Sequence, residues 1–185
     1  MSNIRDTKGR IVKETFPSEI VSIMGDIFAG IALTFLILPF KSFLILILII
    51  PALLSLRGNL SGPFIARTSR DMILGEFTKK AWVENALATI ALSIIISLLV
   101  GFFTILLDFF FFQFFILPSS YLIFIPILSV LFTLFISIPC STCLNYFAFK
   151  RGLNPNNIVN PIMTAIDDFS TVICFYITLL ILGVP

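Results

Sequence analysis

Histidine is missing from these 185 residues, and cysteine and tryptophan are scarce, with three Cys and one Trp. Without histidine the chain lacks the commonest protein ligand for zinc and copper. Three cysteines do not make a disulfide framework. Cys140 and Cys143 form a C-x-x-C inside an apolar run with no second pair, which reads as helix packing rather than a zinc site. Charge is sparse too: Asp, Glu, Lys and Arg together are 12% of the chain. No basic patch with interleaved aromatics lies outside the helix-end loops, so no nucleic-acid partner is expected. Polar stretches of domain length are absent, and the longest is the N-terminal segment 1–16. No internal repeat is visible.

Apolar residues dominate, at 58% of the chain with a mean hydropathy of +1.10. Several nearly uncharged runs have the roughly 20 residues needed to cross about 30 Å of hydrocarbon. Long strands of alternating polarity are lacking, so the fold class is an all-α integral membrane protein rather than a β-barrel. Five spans are predicted, at about 17–39, 43–66, 83–110, 122–149 and 158–184. Residues 1–16 read as a cytoplasmic N-terminal segment and 17–185 as the five-helix transmembrane domain. The first apolar run is too long for a signal-peptide core, so it is expected to be kept.

Lys and Arg placement sets the expected orientation. Arg5, Lys8, Arg10 and Lys13 precede the first span. Arg67, Arg70, Lys79 and Lys80 lie between the second and third, and Lys150 and Arg151 between the fourth and fifth. The other side holds only Lys41. A cytoplasmic N-terminus and an external C-terminus follow, in a multi-pass protein of the cell membrane. The stretch "LDFFFFQFFILPSSY" reads as an interfacial aromatic belt with a turn at Pro118, Ser119 and Ser120.

Charges inside a span cost a few kcal/mol or more and mark function by default. Asp26, Arg57, Asp108, Asp167 and Asp168 are such residues. Asp108 lies close to the external surface and reads as a solvated helix end. Asp168 lies roughly 15 Å into the fifth span, at about 1.5 Å per residue. In that span, "NIVNPIMTAIDDFSTVICFY", Asn160, Thr164 and Asp168 are spaced i, i+4, i+8 and Thr171 follows, so they share one helix face. An amide oxygen, hydroxyls and a carboxylate are hard ligands suited to Mg²⁺ or Ca²⁺. Interhelical hydrogen bonding is the other use of such a stripe. Asp167 points about 100° away from Asp168, toward a partner on another helix or toward protonation.

The second span breaks its apolar run with "PALLSLRGNLSG". Gly58, Gly62 and Pro63 are expected to weaken or bend the helix, leaving Gly58, Asn59 and freed carbonyls to line a cavity. Two arrangements stand for Arg57: an ion pair with Asp26, helped by close approach at Gly25 and Gly30, or snorkelling toward the cytoplasmic surface.

Two motifs resemble a known family. "PALLSLRGNLSG" is similar to the P-A-L-x-x-x-x-G-N-x signature of the second helix of the MgtE magnesium channels and their eukaryotic solute-carrier relatives. "GLNPNNIVNPIMTAIDDFSTV" is similar to that family's G-x-[ND]-P-x-x-x-x-x-P-x-x-x-x-x-x-D pattern opening the fifth helix. The resemblance implies a divalent-cation pathway between two copies of the domain, lined by helices two and five, so a homodimer is expected. It implies that Asp168 and its counterpart hold a hydrated Mg²⁺, with Thr164 and Asn160 one and two turns earlier. It implies Mg²⁺ as the transported ion, with divalent cations, membrane lipids and a second copy as partners, and neither an organic cofactor nor an enzyme activity. The chain departs from the bacterial members in lacking their large Mg²⁺-sensing cytoplasmic domains. Arg57, just before the Gly-Asn pair, is closer to the eukaryotic branch. Rival readings are a structural membrane subunit without transport of its own, a lipid-modifying membrane enzyme, and a proton- or Na⁺-coupled carrier using the same stripe.

Overall fold

A computed structural model describes residues 7–113 and 116–184. Arg5 of the basic N-terminal set, and Phe114 and Phe115 of the aromatic stretch, lie outside these residues. Every regular element among the described residues is helical. They are α1 (Lys8–Leu33), a 3₁₀ turn (Thr34–Leu36), α2 (Ile37–Ser42), α3 (Leu46–Leu74), α4 (Lys79–Leu107), a π-turn (Asp108–Phe112), α5 (Ser119–Lys150) and α6 (Pro155–Ile181). Among the described residues, five stretches are long and apolar enough to cross a membrane, the first being α1 through α2.

The ends follow local rules. Thr7 and Thr78 cap α1 and α4 by accepting from the Arg10 and Ala81 N–H groups. Asn154 caps α6 by accepting from the Asn156 N–H, with Pro155 in the first turn where its missing donor costs nothing. Gly75 and Gly152 end α3 and α5 in the left-handed region, at φ 75° and 71°. There they let the Glu76 and Leu153 N–H groups reach back to Asp71 and Ala148.

α1 begins at Lys8, well before the expected start at Pro17, because Pro17 sits inside a helix whose first turns are polar and interfacial. α3 bears on the weakening expected at its glycines and prolines. It runs unbroken through Pro51, Gly58, Gly62 and Pro63. In hydrocarbon an unwound backbone has no water to pair with, so the helix persists and each proline merely removes one bond. The carbonyl freed by Pro63 is that of Asn59, four residues earlier. Asp108 also differs from its reading: at 5% exposure it is buried at the π-turn rather than solvated.

α5 and α6 form the centre, with α4 on α5 and α1 on α6, and α3 touches α4, α5 and α6. The main core gathers Leu46, Ile49, Leu53, Phe64, Ile125, Val130, Phe175 and Leu179. α4 approaches α5 so closely at Gly101 that a Cβ there would sit 2.7 Å from the Leu122 carbonyl oxygen. α1 does the same on α6, where a Cβ on Gly25 would collide with the Ala165 Cβ. Gly30 has open space around it and makes no such approach.

Candidate ion site on the central helix

The site is built from the start of α6. Glu14 of α1 accepts from the Asn154 backbone N–H at 3.2 Å, from Asn157 Nδ2 at 3.0 Å and from Arg10 Nε at 2.7 Å. A carboxylate at a helix N-terminus satisfies orphan donors and suits the helix dipole. Arg10 donates onward to the Gly152 carbonyl at 2.6 Å, and Ser18 to that of Asn157 at 3.2 Å. The basic start of α1 and the basic turn between α5 and α6 therefore share one end of the bundle. With α1 clamped here and at Ala165, the register of α6 is fixed up to its two aspartates.

Those aspartates have opposite fates. Asp167 is 1% exposed and Arg57 of α3 is 0% exposed. Arg57 Nη2 donates to Asp167 Oδ1 at 3.3 Å, linking residues 110 apart in sequence. This corrects the expected pairing of Arg57 with Asp26. Asp26 is exposed on α1, which packs on α6, whereas Arg57 points into the α3–α6 contact, so Asp167 is the carboxylate it meets. Burial at that contact also rules out snorkelling to the surface. The pair does not use all its capacity: Arg57 Nε and Nη1 and Asp167 Oδ2 are buried with no partner among the described residues.

Asp168, the next residue, is only half-buried, and its carboxylate has no hydrogen bond or ion pair among the described residues. Its charged neighbours are Asp26, Asp167 and Arg57. Arg57 and Asp167 offset one another, so two uncompensated carboxylates, Asp168 and Asp26, remain on this side. One turn earlier Thr164 is exposed, with its hydroxyl donating to the Asn160 carbonyl at 3.0 Å. Asn160 is half-buried, and its Oδ1 is shielded and unpartnered. Asn160, Thr164 and Asp168 thus form an oxygen-bearing strip along α6. Thr171 is placed differently. It is 1% exposed, with its Oγ1 buried and unpartnered, and turns toward the Arg57–Asp167 side.

On α3, Gly58 and Asn59 are both exposed, on the helix face away from Arg57. A Cβ on Gly58 or Gly62 would meet nothing within 4 Å, so this face of α3 is uncovered. Asn59 borders a cleft of about 510 Å³ between α3 and α4, with Pro63, Arg67, Glu84 and Asn85 among its walls. The sequence reading missed Asp167 as Arg57's partner. The 100° offset between neighbouring helical residues gave the direction of Asp167 but not the helix it would meet.

Among the described residues, no group of three or more His, Cys, Asp or Glu side chains is close enough to hold one metal ion directly. The donors present are hard oxygens. The three cysteines are free.

Membrane-length helices, with one half-buried carboxylate midway along the last of them, define a multi-pass membrane protein. A family model described as MgtE, divalent cation transporter, matches residues 50–178, from the first turns of α3 to the last of α6. The chain belongs to the MgtE family: it is a divalent cation transporter of the membrane, not an enzyme. Searches of curated proteins and of solved structures found no match to the chain.

Proposed function

We propose that the chain conducts Mg²⁺, kept partly hydrated, along the α6 strip at the interface of a homodimer, with its N-terminus on the cytoplasmic side. The observation that carries this reading is Asp168, a half-buried carboxylate midway along a membrane-spanning helix, with no ion-pair or hydrogen-bond partner among the described residues of its own protomer. A carboxylate in that position is stable only beside a cation or as the neutral acid. The described residues of one protomer do not offer enough direct ligands to strip a divalent ion. Mg²⁺ gives up its water reluctantly and is often held through it. Two copies of Asp168 facing one another, with Thr164 hydroxyls and Asn160 oxygens a turn or two away, would hold such an ion through its waters. Gly58 and Asn59 face away from α6 of their own protomer and join the path where the exposed face of α3 meets the second copy. Thr171 stands behind this path, lining its polar backing. Binding of this kind is favourable enough to admit the ion and weak enough to release it.

The test is divalent uptake into liposomes containing purified protein and a Mg²⁺-sensitive dye, with wild type beside Asp168→Asn. Uptake by wild type that falls at least about 100-fold in the variant, roughly 2.7 kcal/mol of lost stabilisation, is the expected outcome. Equal uptake by both, with assembly confirmed by cross-linking, would remove Asp168 from the pathway.

A further inference from the structure

The buried pair behind the strip is the most heavily shielded charge among the described residues. Arg57 is 0% exposed and Asp167 1% exposed. Stability alone is a poor reason for it, because a buried ion pair is often no better than apolar residues of the same volume. Nor is the pair finished as a structural unit: two guanidinium nitrogens and one carboxylate oxygen lack partners among the described residues. Its position is the informative feature. Asp167 is covalently next to Asp168, and the guanidinium bonded to Asp167 is itself within electrostatic reach of Asp168.

We infer that Arg57 sets the ion affinity of the α6 strip by neutralising Asp167, so that of the two adjacent aspartates only Asp168 presents net charge to the pathway. This rests on the proposed passage of Mg²⁺ along that strip. Arg57 is then a specificity-determining residue acting through Asp167, not a ligand. With the guanidinium gone and the divalent ion in place to keep it ionised, Asp167 adds a second negative charge behind the ion. With the Asp167 carboxylate gone, an unpaired cation stands there and repels it. Removing both charges restores the balance.

The consequence has a sign, and a purely structural pair would not have one. Arg57→Gln lowers the half-saturating Mg²⁺ concentration and Asp167→Asn raises it, each by about tenfold, the order expected for one unit charge acting on a divalent ion at a partly wet site. The double variant, Arg57→Gln with Asp167→Asn, returns to within about twofold of wild type. The measurement is the Mg²⁺ dependence of thermal unfolding of the purified protein, with initial uptake rates in liposomes as a second readout, all at one pH and salt concentration. Opposite shifts in the single variants establish the inference. Any result in which they do not move in opposite directions overturns it. If either single variant does not fold, the double variant decides: half-saturation within about twofold of wild type supports the inference and a larger displacement overturns it. The two readings fail separately. Wild type with no saturable Mg²⁺ response defeats the proposed pathway, whereas a normal wild-type response with same-direction shifts defeats only the role of Arg57.

Discussion

The α4–α5 pair and the α3–α6 pair are both rich in buried polar side chains, but they use them in opposite ways. In α4 and α5, Thr89, Ser93, Thr104, Ser129 and Thr133 each donate to the carbonyl four residues earlier in their own helix, at 2.7–2.9 Å. Their hydroxyls are satisfied before any neighbour arrives, and they serve as small residues that let helices approach. In α3 and α6, Ser61 and Thr178 do the same, but several other polar atoms are left over. Of the buried side-chain nitrogens and oxygens without a partner among the described residues, all but Asn145 Oδ1 belong to these two helices. Such atoms are normally satisfied by water or ions. Polar content therefore does not distinguish the two pairs, whereas unmet hydrogen-bonding capacity largely does.

The sharpest way to break this contrast is at the buried pair. Asp167→Leu leaves the Arg57 guanidinium buried and uncompensated, and is expected to cost about 3 kcal/mol or more of stability. Thermal unfolding in detergent reads this as a large drop in Tm, and an unchanged Tm would mean that Arg57 finds water or another partner. A smaller effect is expected at the α1–α6 contact. Gly25→Val forces α1 away from Ala165 and is expected to cost about 1–3 kcal/mol, as overpacking does. It should also lower uptake, because α1 carries Asp26 beside the strip. Smallest of all is the scaffold. Ser93→Ala and Ser129→Ala remove hydroxyls bonded only within their own helix, and should change stability by less than about 0.6 kcal/mol and leave uptake at the wild-type rate. A large loss at either serine would erase the distinction between the two regions.

Much of the fold was legible in the sequence. Long apolar runs separated by basic or proline-containing turns marked five spans, because the bilayer demands about 20 apolar residues each time. The strip on α6 was legible as well, since the i, i+4, i+8 spacing of Asn160, Thr164 and Asp168 puts them on one face of any regular helix. The misses share a cause. The continuity of α3 through Gly58, Gly62 and Pro63 was not legible, because local propensity for breaking a helix is outweighed where no water can take up freed backbone groups. The partner of Arg57 was misjudged because both Asp26 and Asp167 lay at plausible depth, and depth does not tell which helix a side chain faces. That choice was made by tertiary packing, with α1 docking on the side of α6 that carries Ala165 and α3 on the side that carries Asp167. Burial of Asp108 at the π-turn was hidden for the same reason.

The most direct test of the account is equilibrium Mg²⁺ binding to purified wild-type protein and to Asp168→Asn, read as the rise in Tm with Mg²⁺ concentration. A ligand that binds only the folded state stabilises it by about 2.7 kcal/mol at 100 times its Kd. The account predicts a saturable rise in wild type that is absent in the variant, with both proteins equally well folded without the ion. The same Mg²⁺-dependent rise in both would contradict it, because the ion would then be held somewhere other than the strip on α6.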